Sequence, residues 1–466
     1  MSSGSPVCTR LKEIVGSDYA RDGAEERYIY SRSPAGFRTG NPGCLVIPEN
    51  AEEVRQIVML AASEGIPVVP AGAGLSLSDL TVPHRGGIVM DMRRMDRIIE
   101  VNREGRYAVV EAGTTVGQLI GYLSAKHPDL RISIPDAPPS ATICGNLIIF
   151  GSGHLSRYGA HSEMINGLEA VLHTGDICRL GSCSVSEEWF SRLPLPDLTS
   201  LFVYWFGGTG IITRLSVKLY PRHKIRDILI FKVESPDSIP EALSEVTRSG
   251  LIEDVLLFAM KQKESSIPLT LLQLFLTGDT PEELNKKKRL FTAMLSGRNK
   301  RGSSIIPVSN DIFPERFISH QLSEPKYGIE DAVDAKRGGG CGYIGGNFPL
   351  PLIPEIFKRG LEISEKYGFT GPLYTIRNVG MGHSVIYNIM YPFNRDDLRS
   401  IELSRMAMEE ASAAIMEIGG IEWKAPAEKQ AEFFKAMHHG TRDLMLRIKR
   451  SMDPEGIFNP GNWDME

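Results

Sequence analysis

A glycine-rich turn after a short apolar run is the first feature of this 466-residue sequence that could do chemistry. Val68 and Val69 are typical of the end of a buried strand, and Ala71–Gly74 follow without bulky side chains. Small residues let backbone N–H groups converge on an anion, so the turn predicts a phosphate site. A tight structural turn explains the same residues about as well. Leu77 stands where the Gly-x-Gly-x-x-Gly fingerprint needs its third glycine, which argues against a nicotinamide-binding turn.

A second stretch, residues 377–388, combines a cation with a base. Arginine grips a carboxylate through two parallel hydrogen bonds, and histidine exchanges protons near neutral pH. Arg377 and His383 could therefore bind and deprotonate a small hydroxylated anion, with Tyr387 and Tyr343 as further candidate catalytic residues. A surface strand position for Arg377 and a hydrogen-bonded core position for His383 are the alternatives. The six cysteines form no Cys-x-x-Cys pair, so the sequence predicts no metal centre.

Composition narrows the class of protein. Hydrophobic residues make up 42% and charged residues 23%, as in ordinary globular proteins. The net charge of −5 gives no basic surface that would indicate nucleic acid or an anionic membrane. No apolar run reaches the roughly 18 residues of a membrane span, and the most apolar stretch, residues 201–206, is predicted as a buried strand. The N-terminus has no signal-peptide pattern, and we expect a cytoplasmic protein.

Two regions that differ in the order of their helices and strands must position these residues. Helices predicted over residues 51–65 and 113–125 alternate with short strands up to Pro221. Beyond residue 227 the order strand, helix, strand, strand, helix appears twice, and each copy is typical of a split βαβ unit. Two such units could pair into one broad antiparallel sheet that forms a lid.

Five segments then follow one another in a recognisable order. They are Pro48–Val58, Pro67–Asp79, Gly86–Asp96, Val109–Leu119 and Pro135–Asn146. In this order the run resembles the vanillyl-alcohol-oxidase type of FAD-binding oxidoreductase, the family that includes p-cresol methylhydroxylase and the D-lactate and glycolate dehydrogenases. The resemblance implies an α+β fold, with a two-subdomain FAD-binding domain over residues 1–222 and a cap domain with a large antiparallel sheet over residues 223–419. A C-terminal segment over residues 420–466 returns to the FAD-binding domain.

The resemblance also implies FAD as the cofactor and gives it a set of contacts. The relatives' flavin tether, a histidine in the first loop, has no counterpart here because Leu75 offers no nucleophile, so we expect a dissociable FAD. The expected cofactor-binding residues are Pro70, Ala71, Gly72, Ala73, Gly74, Leu75, Ser76, Pro135, Ser140, Ala141, Thr142, Cys144, Gly145, Asn146, Gly153, Tyr158, Gly159, Gly210, Ile211, Ile212 and Asn459.

Function follows from the same resemblance, with three alternatives. The leading hypothesis is an FAD-linked oxidase or dehydrogenase that takes a hydride from a small 2-hydroxy acid and passes the electrons to an external acceptor. The relatives' second metal-binding histidine and their Glu-His-Gly motif are absent, and Tyr387 and Tyr391 favour the second alternative, a phenol-oxidising flavoprotein. The third is an electron-transfer FAD subunit of a larger complex. Candidate partners are an iron–sulfur or electron-transfer flavoprotein and a second copy of the chain; nucleic acid is not among them.

Overall fold

The computed structural model describes residues 6–34, 37–260, 268–296, 305–325, 339–370 and 373–463. Helices and strands are numbered here in chain order. Two large hydrophobic cores form, one in the N-terminal half and one beneath the sheet of the C-terminal half. Within the described residues, no helix combines the length and the apolar character needed to cross a membrane.

A small parallel sheet carries the glycine-rich turn. Its strand order is β1 (Ala20–Arg21), β2 (Cys44–Val46), β4 (Ile88–Asp91) and β3 (Val68–Ala71). The last three strands are parallel, and the turn leaves the carboxyl end of β3. Helices α1 (Pro6–Val15) and α2 (Ala24–Tyr30) pack on the first two strands of this sheet, and α3 (Ala51–Glu64) packs against α1. The prediction for α3 is confirmed, because Asn50 caps its start and Gly65 ends it in a left-handed conformation.

A second, antiparallel sheet completes the N-terminal half. Its order is β11 (Ile177–Gly181), β10 (Ile165–Val171), β12 (Ile211–Lys218), β6 (Tyr107–Glu111) and β5 (Ile98–Asn102). The helices here are α4 (Val116–Lys126), close to its predicted range, and α5 (Ile143–Ile148). Two short strand pairs join β7 (Leu130–Arg131) to β13 (Tyr220–Pro221), and β8 (Ile134–Pro135) to β9 (Gly153–His154). The predicted strand over residues 201–206 is wrong: a 3-10 turn and a loop stand there, with positive φ at Tyr204 and Phe206.

One eight-stranded antiparallel sheet, called the cap sheet below, dominates the C-terminal half. Its order is β17 (Ile305–Val308), β14 (Ile225–Val233), β16 (Leu269–Gly278), β15 (Asp254–Met260), β19 (Leu373–Val379), β20 (Ser384–Asn394), β18 (Gly339–Phe348) and β21 (Ile421–Glu422). The prediction that two strand–helix units pair into one broad sheet is confirmed. One face is covered by α6 (Ile239–Arg248), α7 (Pro281–Ser296), α9 (Ile353–Lys366) and α10 (Leu398–Glu417).

The opposite face of the cap sheet turns towards the N-terminal half, with α8 (Glu315–Leu322) over its outer end. Because successive strand residues point to opposite faces, Arg377 and Tyr343 share this second face while their neighbours Ile376 and Ile344 enter the helix-covered core. The site chemistry therefore lies between the cap sheet and the N-terminal half.

The C-terminal segment folds back onto the parallel sheet, as the resemblance implied. After α11 (Ala427–Ala436) and α12 (His439–Met452), the backbone of Ile457 and Asn459 hydrogen-bonds to Val68 at 2.7 and 2.8 Å. The predicted domain boundaries, between residues 222 and 223 and between 419 and 420, stay predictions.

Candidate functional site

A cleft opens between the two sheets of the N-terminal half. The cleft is lined by Pro70, Ala71, Gly72, Leu80, Thr81, Met92, Ala112, Thr142, Cys144, Gly145, Ile148, Ile149, Phe202, Phe206, Gly207, Gly210 and Ile212. The glycine-rich turn forms one wall, and the start of α5 forms another.

Two glycines keep the cleft walls close together. A Cβ atom on Gly72 would run into the hydroxyl of Thr142, with the Thr142 methyl at 3.1 Å. Gly207 has φ of +80°, and a Cβ there would lie 2.5 Å from Cγ of Pro70. Larger residues would therefore push the walls apart, and glycine is needed at both positions for the backbone to lie against a ligand.

The turn itself presents free amide groups. In the described part of the chain, none of the backbone N–H groups from Gly72 to Ser76 donates a hydrogen bond. Gly74 has φ of +66°, and a Cβ added there would meet open space. Unpaired amides at a turn of this kind bind anions, because each amide can donate to a phosphate oxygen. The turn and cleft together fit a dinucleotide whose pyrophosphate lies against residues 72–76.

Eight of the expected cofactor residues line the cleft: Pro70, Ala71, Gly72, Thr142, Cys144, Gly145, Gly210 and Ile212. The remaining thirteen lie outside that lining. Ala73, Gly74, Leu75 and Ser76 continue the turn; Ala141 and Ile211 are buried in the adjoining core; Pro135 and Gly153 pair in a short strand bridge; and Ser140 is exposed before α5.

Four of those thirteen have other roles in the fold. Tyr158 stacks on Tyr220 with the ring centroids 4.2 Å apart, and Gly159 follows at φ of +111°. The Oδ1 atom of Asn146 accepts a hydrogen bond from Nδ1 of His161, 2.8 Å away. Asn459 donates through its amide to the carbonyl of Leu80, which holds the returning C-terminal segment. Cofactor contact by these residues stays a prediction.

Sequence reasoning missed the apolar part of the lining. Leu80, Met92, Ile148 and Phe206 carry no motif, and only their position beside a recognised segment could have indicated them. Cys144 belongs to the recognised set, and burial raises the pKa of its thiol to about 12. The thiol is therefore protonated and acts as a small apolar wall group.

A buried ion-pair cluster joins the cap sheet to the N-terminal half. Arg377 on β19 donates from Nη1 to Asp254 at 2.7 Å and from Nη2 to Asp136 at 2.6 Å. Arg377 and Asp254 are 3% and 0% exposed, whereas the Asp136 side chain is 28% exposed. Although burial works to lower it, Asp136 and Asp254 together raise the pKa of Arg377. Both ends of the guanidinium are therefore taken by carboxylates of the chain itself.

His154 bridges the same two carboxylates. Its Nε2 lies 3.2 Å from Asp136 and its Nδ1 lies 3.3 Å from Asp254. The short strand bridge between β8 and β9 places Asp136 beside Ser152 and brings His154 under the cap sheet. Burial raises the pKa of Asp254 to about 6, against the opposing effect of Arg377. The cluster can therefore take up a proton near neutral pH.

An aromatic corner adjoins this cluster. Tyr343 on β18 meets the ring of Trp423 edge-on at 5.9 Å, and Nζ of Lys424 lies 3.9 Å from the centre of the Trp423 ring. Burial and the nearby Asp136 carboxylate raise the pKa of Tyr343 well above its usual value. Burial lowers the pKa of Lys424 to about 7, against the opposing effect of Asp136. The phenol of Tyr343 and the amine of Lys424 thus both lie against the Trp423 ring, within electrostatic range of the Asp136 carboxylate.

The aromatic corner is contiguous with the cofactor cleft. The indole of Trp423 donates to the carbonyl of Phe150 at 2.8 Å, next to the cleft residue Ile149. The backbone N–H of Lys424 donates to the hydroxyl of Tyr204 at 2.6 Å, and the Tyr204 ring packs on the cleft residue Phe206 at 5.0 Å. A ligand in the cleft could therefore reach Asp136, Tyr343 and Lys424.

The four predicted catalytic residues do not come together. Arg377 and Tyr343 lie on the face of the cap sheet that meets the N-terminal half. His383 is exposed in the turn between β19 and β20. Tyr387 is 1% exposed on the opposite face, where it packs against Phe357 and Tyr374 and away from Arg377 and Tyr343, and its catalytic role stays a prediction. Arg377 and His383 are six residues apart, which fits a strand–turn–strand connection. The spacing does not show which residues form the turn, and His383 lies in it.

Asp136, His154 and Lys424 are site residues that the sequence reasoning did not select. Asp136 stands inside the recognised segment 135–146, and Lys424 directly follows the place where the relatives' Glu-His-Gly motif is absent. His154 had no signal, because a single histidine in a glycine-rich segment is usually structural. The sequence also offers Lys336 and Arg337, just before the glycine-rich run that leads to Tyr343, as candidates for binding an anion, and both lie outside the described residues.

The fold and the glycine-lined cleft with free amides fit the class of dinucleotide-binding flavoproteins, with the cap sheet packed against the half that carries the cleft. Residues 42–181 match the family model of an FAD binding domain. The chain is 26% identical to the glycolate oxidase subunit GlcD of Bacillus subtilis (strain 168), over 98% of this chain and 96% of that protein. It is also 26% identical to the flavoprotein subunit of 4-cresol dehydrogenase (hydroxylating) of Pseudomonas putida, over 97% and 94%.

Among solved structures, p-cresol methylhydroxylase with bound substrate superposes with a TM-score of 0.85 at 19% identity, covering 99% of this chain and 96% of that one. Residues 42–181 are thus an FAD binding domain, and the chain is an oxidoreductase with FAD as its cofactor that is similar, over nearly its whole length, to the p-cresol methylhydroxylase type of flavoprotein. The predicted resemblance, fold class and cofactor are confirmed, and so is the assignment as an oxidase or dehydrogenase.

Proposed function

We propose that this protein oxidises a small 2-hydroxy acid, such as lactate or glycolate, and passes the electrons to an external acceptor. Non-covalently bound FAD supplies the hydride acceptor. The observation that carries the proposal is the Asp136 carboxylate, which is partly exposed where the cofactor-binding half meets the cap sheet and is held there by Arg377 and His154.

Asp136 is the proposed proton acceptor. When the C–H hydrogen of a 2-hydroxy acid leaves as a hydride, the hydroxyl proton must go to a base within hydrogen-bond reach. Asp136 is fixed at 2.6 Å from Arg377 and 3.2 Å from His154, so its position is set before substrate arrives. His154 then links it to Asp254, whose raised pKa lets that carboxylate hold the proton.

Arg377 has a different role from the one first expected. Both of its Nη atoms donate to carboxylates of the chain, so the fork that would grip a substrate carboxylate is not available. We assign it as a positioning residue that orients Asp136 and neutralises part of the buried negative charge.

Sequence similarity supports the same substrate class. The Bacillus subtilis relative is named as a glycolate oxidase subunit and aligns along almost the whole chain. Both relatives described above are named as subunits, which supports an electron-acceptor protein as partner. Leu75 in the turn provides no nucleophile, which supports a dissociable flavin.

A phenol is the second candidate substrate, and one observation favours it. Tyr343 and Trp423 form an edge-to-face aromatic corner beside Asp136 and Lys424. Such a corner offers an apolar wall to a substrate ring, while Lys424 could hold a phenolate. The Pseudomonas putida relative is named as a 4-cresol dehydrogenase subunit.

Anaerobic reduction of the bound flavin separates these substrates. The holoprotein is mixed with D- and L-lactate, glycolate and 4-alkylphenols, and the absorbance of the flavin near its visible maximum is followed. Bleaching by a 2-hydroxy acid, with the matching 2-oxo acid as product, is the expected result. Bleaching by phenols alone would establish the second candidate. Reduction only by a reduced protein partner would contradict both and favour an electron-transfer subunit.

A further inference from the structure

We infer that the amine of Lys424 binds the carboxylate of the substrate. The inference rests on the proposed function, which leaves this role open because Arg377 is already paired with Asp136 and Asp254. A 2-hydroxy acid carries a hydroxyl on the carbon next to its carboxylate. Lys424 would bind the carboxylate, and Asp136 would accept the proton of the hydroxyl.

The backbone around Lys424 is fixed from two sides. Trp423 donates its indole N–H to the carbonyl of Phe150 at 2.8 Å, and its backbone N–H to the carbonyl of Gly345 at 2.7 Å. The backbone N–H of Lys424 donates to the hydroxyl of Tyr204 at 2.6 Å. Lys424 is therefore pinned between the cap sheet and the cofactor-binding half, which is where a substrate must lie to reach a flavin in the cleft.

Lys424 also has an uncommon backbone conformation. Its φ is +56°, in the left-handed region that residues with a side chain rarely adopt. Strain of this kind persists where surrounding structure enforces it, and it concentrates at functional positions. Here the backbone N–H groups of Trp423 and Lys424 are both hydrogen-bonded, and the amine of Lys424 lies over the Trp423 ring.

The amine lacks a counter-ion at bonding distance. Within the described ranges, Nζ of Lys424 takes part in no hydrogen bond or ion pair. It lies over the Trp423 ring, 3.9 Å from the ring centre. A cation over an indole is stabilised by the ring but keeps its three N–H donors unsatisfied. A bound carboxylate would satisfy them. Burial lowers the pKa of this amine to about 7, and a bound anion would stabilise its protonated form.

In the adjoining cluster, burial raises the pKa of Asp254 to about 6, so that carboxyl changes charge below neutral pH, whereas the Lys424 amine changes charge near pH 7. Asp136 is paired with Arg377, whose pKa is raised. Burial lowers the pKa of His161 to about 4, and the pKa of Tyr343 is well above its usual value. Anion affinity should therefore fall as the pH rises above about 7, by close to tenfold per unit, because only the protonated amine attracts a carboxylate.

One nearby carboxyl group titrates in the same range and serves as the control. Burial raises the pKa of Glu422 to about 7, but its carboxylate accepts a hydrogen bond from Ser412 of α10, under the other face of the cap sheet. A Glu422→Gln variant should keep the pH dependence of anion binding if Lys424 is its source.

The test uses oxalate, a dicarboxylate that cannot donate a hydride, titrated into the holoprotein while the flavin spectrum is recorded. We expect wild type to bind oxalate more weakly above pH 7, Lys424→Met to bind at least tenfold more weakly at pH 6.5, and Lys424→Arg to bind without that pH dependence. Bound FAD and the thermal midpoint of each variant show that it is folded.

Equal oxalate affinity in wild type and Lys424→Met, or no binding by wild type, would overturn the inference. Neither result would touch the proposed function if lactate or glycolate still bleached the flavin. Conversely, Lys424-dependent oxalate binding with no bleaching by any 2-hydroxy acid would support the anion site and contradict the proposed function.

Discussion

The Nη2 atom of Arg377 lies 2.6 Å from Oδ1 of Asp136, so one ion pair joins the cap sheet to the cofactor-binding half. Nη1 of the same guanidinium reaches Asp254 at 2.7 Å, and Asp254 is completely buried. The ion pair holds the Asp136 carboxylate where the two halves meet. Because both Nη atoms of Arg377 are paired with carboxylates of the chain, Arg377 is not free to bind a substrate carboxylate.

Replacing Arg377 should destabilise the fold. Arg377→Met leaves Asp254 and Asp136 without their counter-ion, and removing one partner of a buried pair typically costs about 3–5 kcal/mol. We expect a loss of that order in the free energy of unfolding, measured by urea denaturation with saturating FAD. Arg405→Met is the matched control, since Arg405 pairs with Glu402 and Glu409 on an exposed helix surface. That variant should change stability by less than about 1 kcal/mol. Equal effects of the two variants would contradict the account.

A change of charge in the glycine-rich turn tests whether this turn binds the pyrophosphate of FAD. Gly74 has φ of +66°, which asparagine and aspartate tolerate better than most residues, and a side chain there enters open space. Aspartate about 4 Å from a phosphate would add roughly 4 kcal/mol of repulsion at an effective dielectric near 20, or close to a thousandfold in affinity. Gly74→Asp should therefore bind FAD far more weakly than Gly74→Asn, as measured by flavin fluorescence titration of the apoprotein. Similar dissociation constants would mean that the turn lies away from the phosphates.

The lowered pKa of Lys424 predicts how stability depends on pH. The folded amine loses its proton near pH 7, whereas the unfolded amine keeps it until about pH 10.5, so the unfolded state holds more protons between these values. The free energy of unfolding should thus gain from this group as pH rises from 7 to 9.5, by at most about 1.4 kcal/mol per unit. Lys424→Met should remove that gain. Parallel pH profiles for wild type and variant, from chemical denaturation, would contradict this environment for the amine.

His383 and Asp136 give opposite expectations for flavin reduction. His383 is exposed in a turn, so His383→Ala should reduce its flavin at close to the wild-type rate. Asp136→Asn removes the proposed base and should slow reduction by roughly 10²–10⁴-fold while FAD stays bound. Rapid mixing under anaerobic conditions measures both rates. A large loss in His383→Ala together with an unimpaired Asp136→Asn would return the base to the position first expected from sequence.

Local sequence signals predicted much of the architecture and the position of the glycine-rich turn in the site. Asn50 and Gly65 mark both ends of α3, and the small residues from Ala71 to Gly74 identify the turn, because these features depend on neighbouring residues alone. The catalytic part depends on contacts across the chain: Arg377 meets Asp136 from 241 positions away. Rules based on the spacing of residues along the sequence cannot predict a contact between residues so far apart in the chain. Tyr387 shows the same limit, since one step along a strand decides which face a side chain takes.

Transfer of the C2 hydrogen to the flavin is the central claim, and deuterium at that carbon tests it most directly. Holoprotein is mixed anaerobically with 2-deuterated lactate and with ordinary lactate, and the rate at which the flavin bleaches is compared. The account predicts bleaching by both, with the deuterated acid several-fold slower and pyruvate as product. Absence of bleaching by 2-hydroxy acids, while 4-alkylphenols bleach the flavin readily, would contradict it.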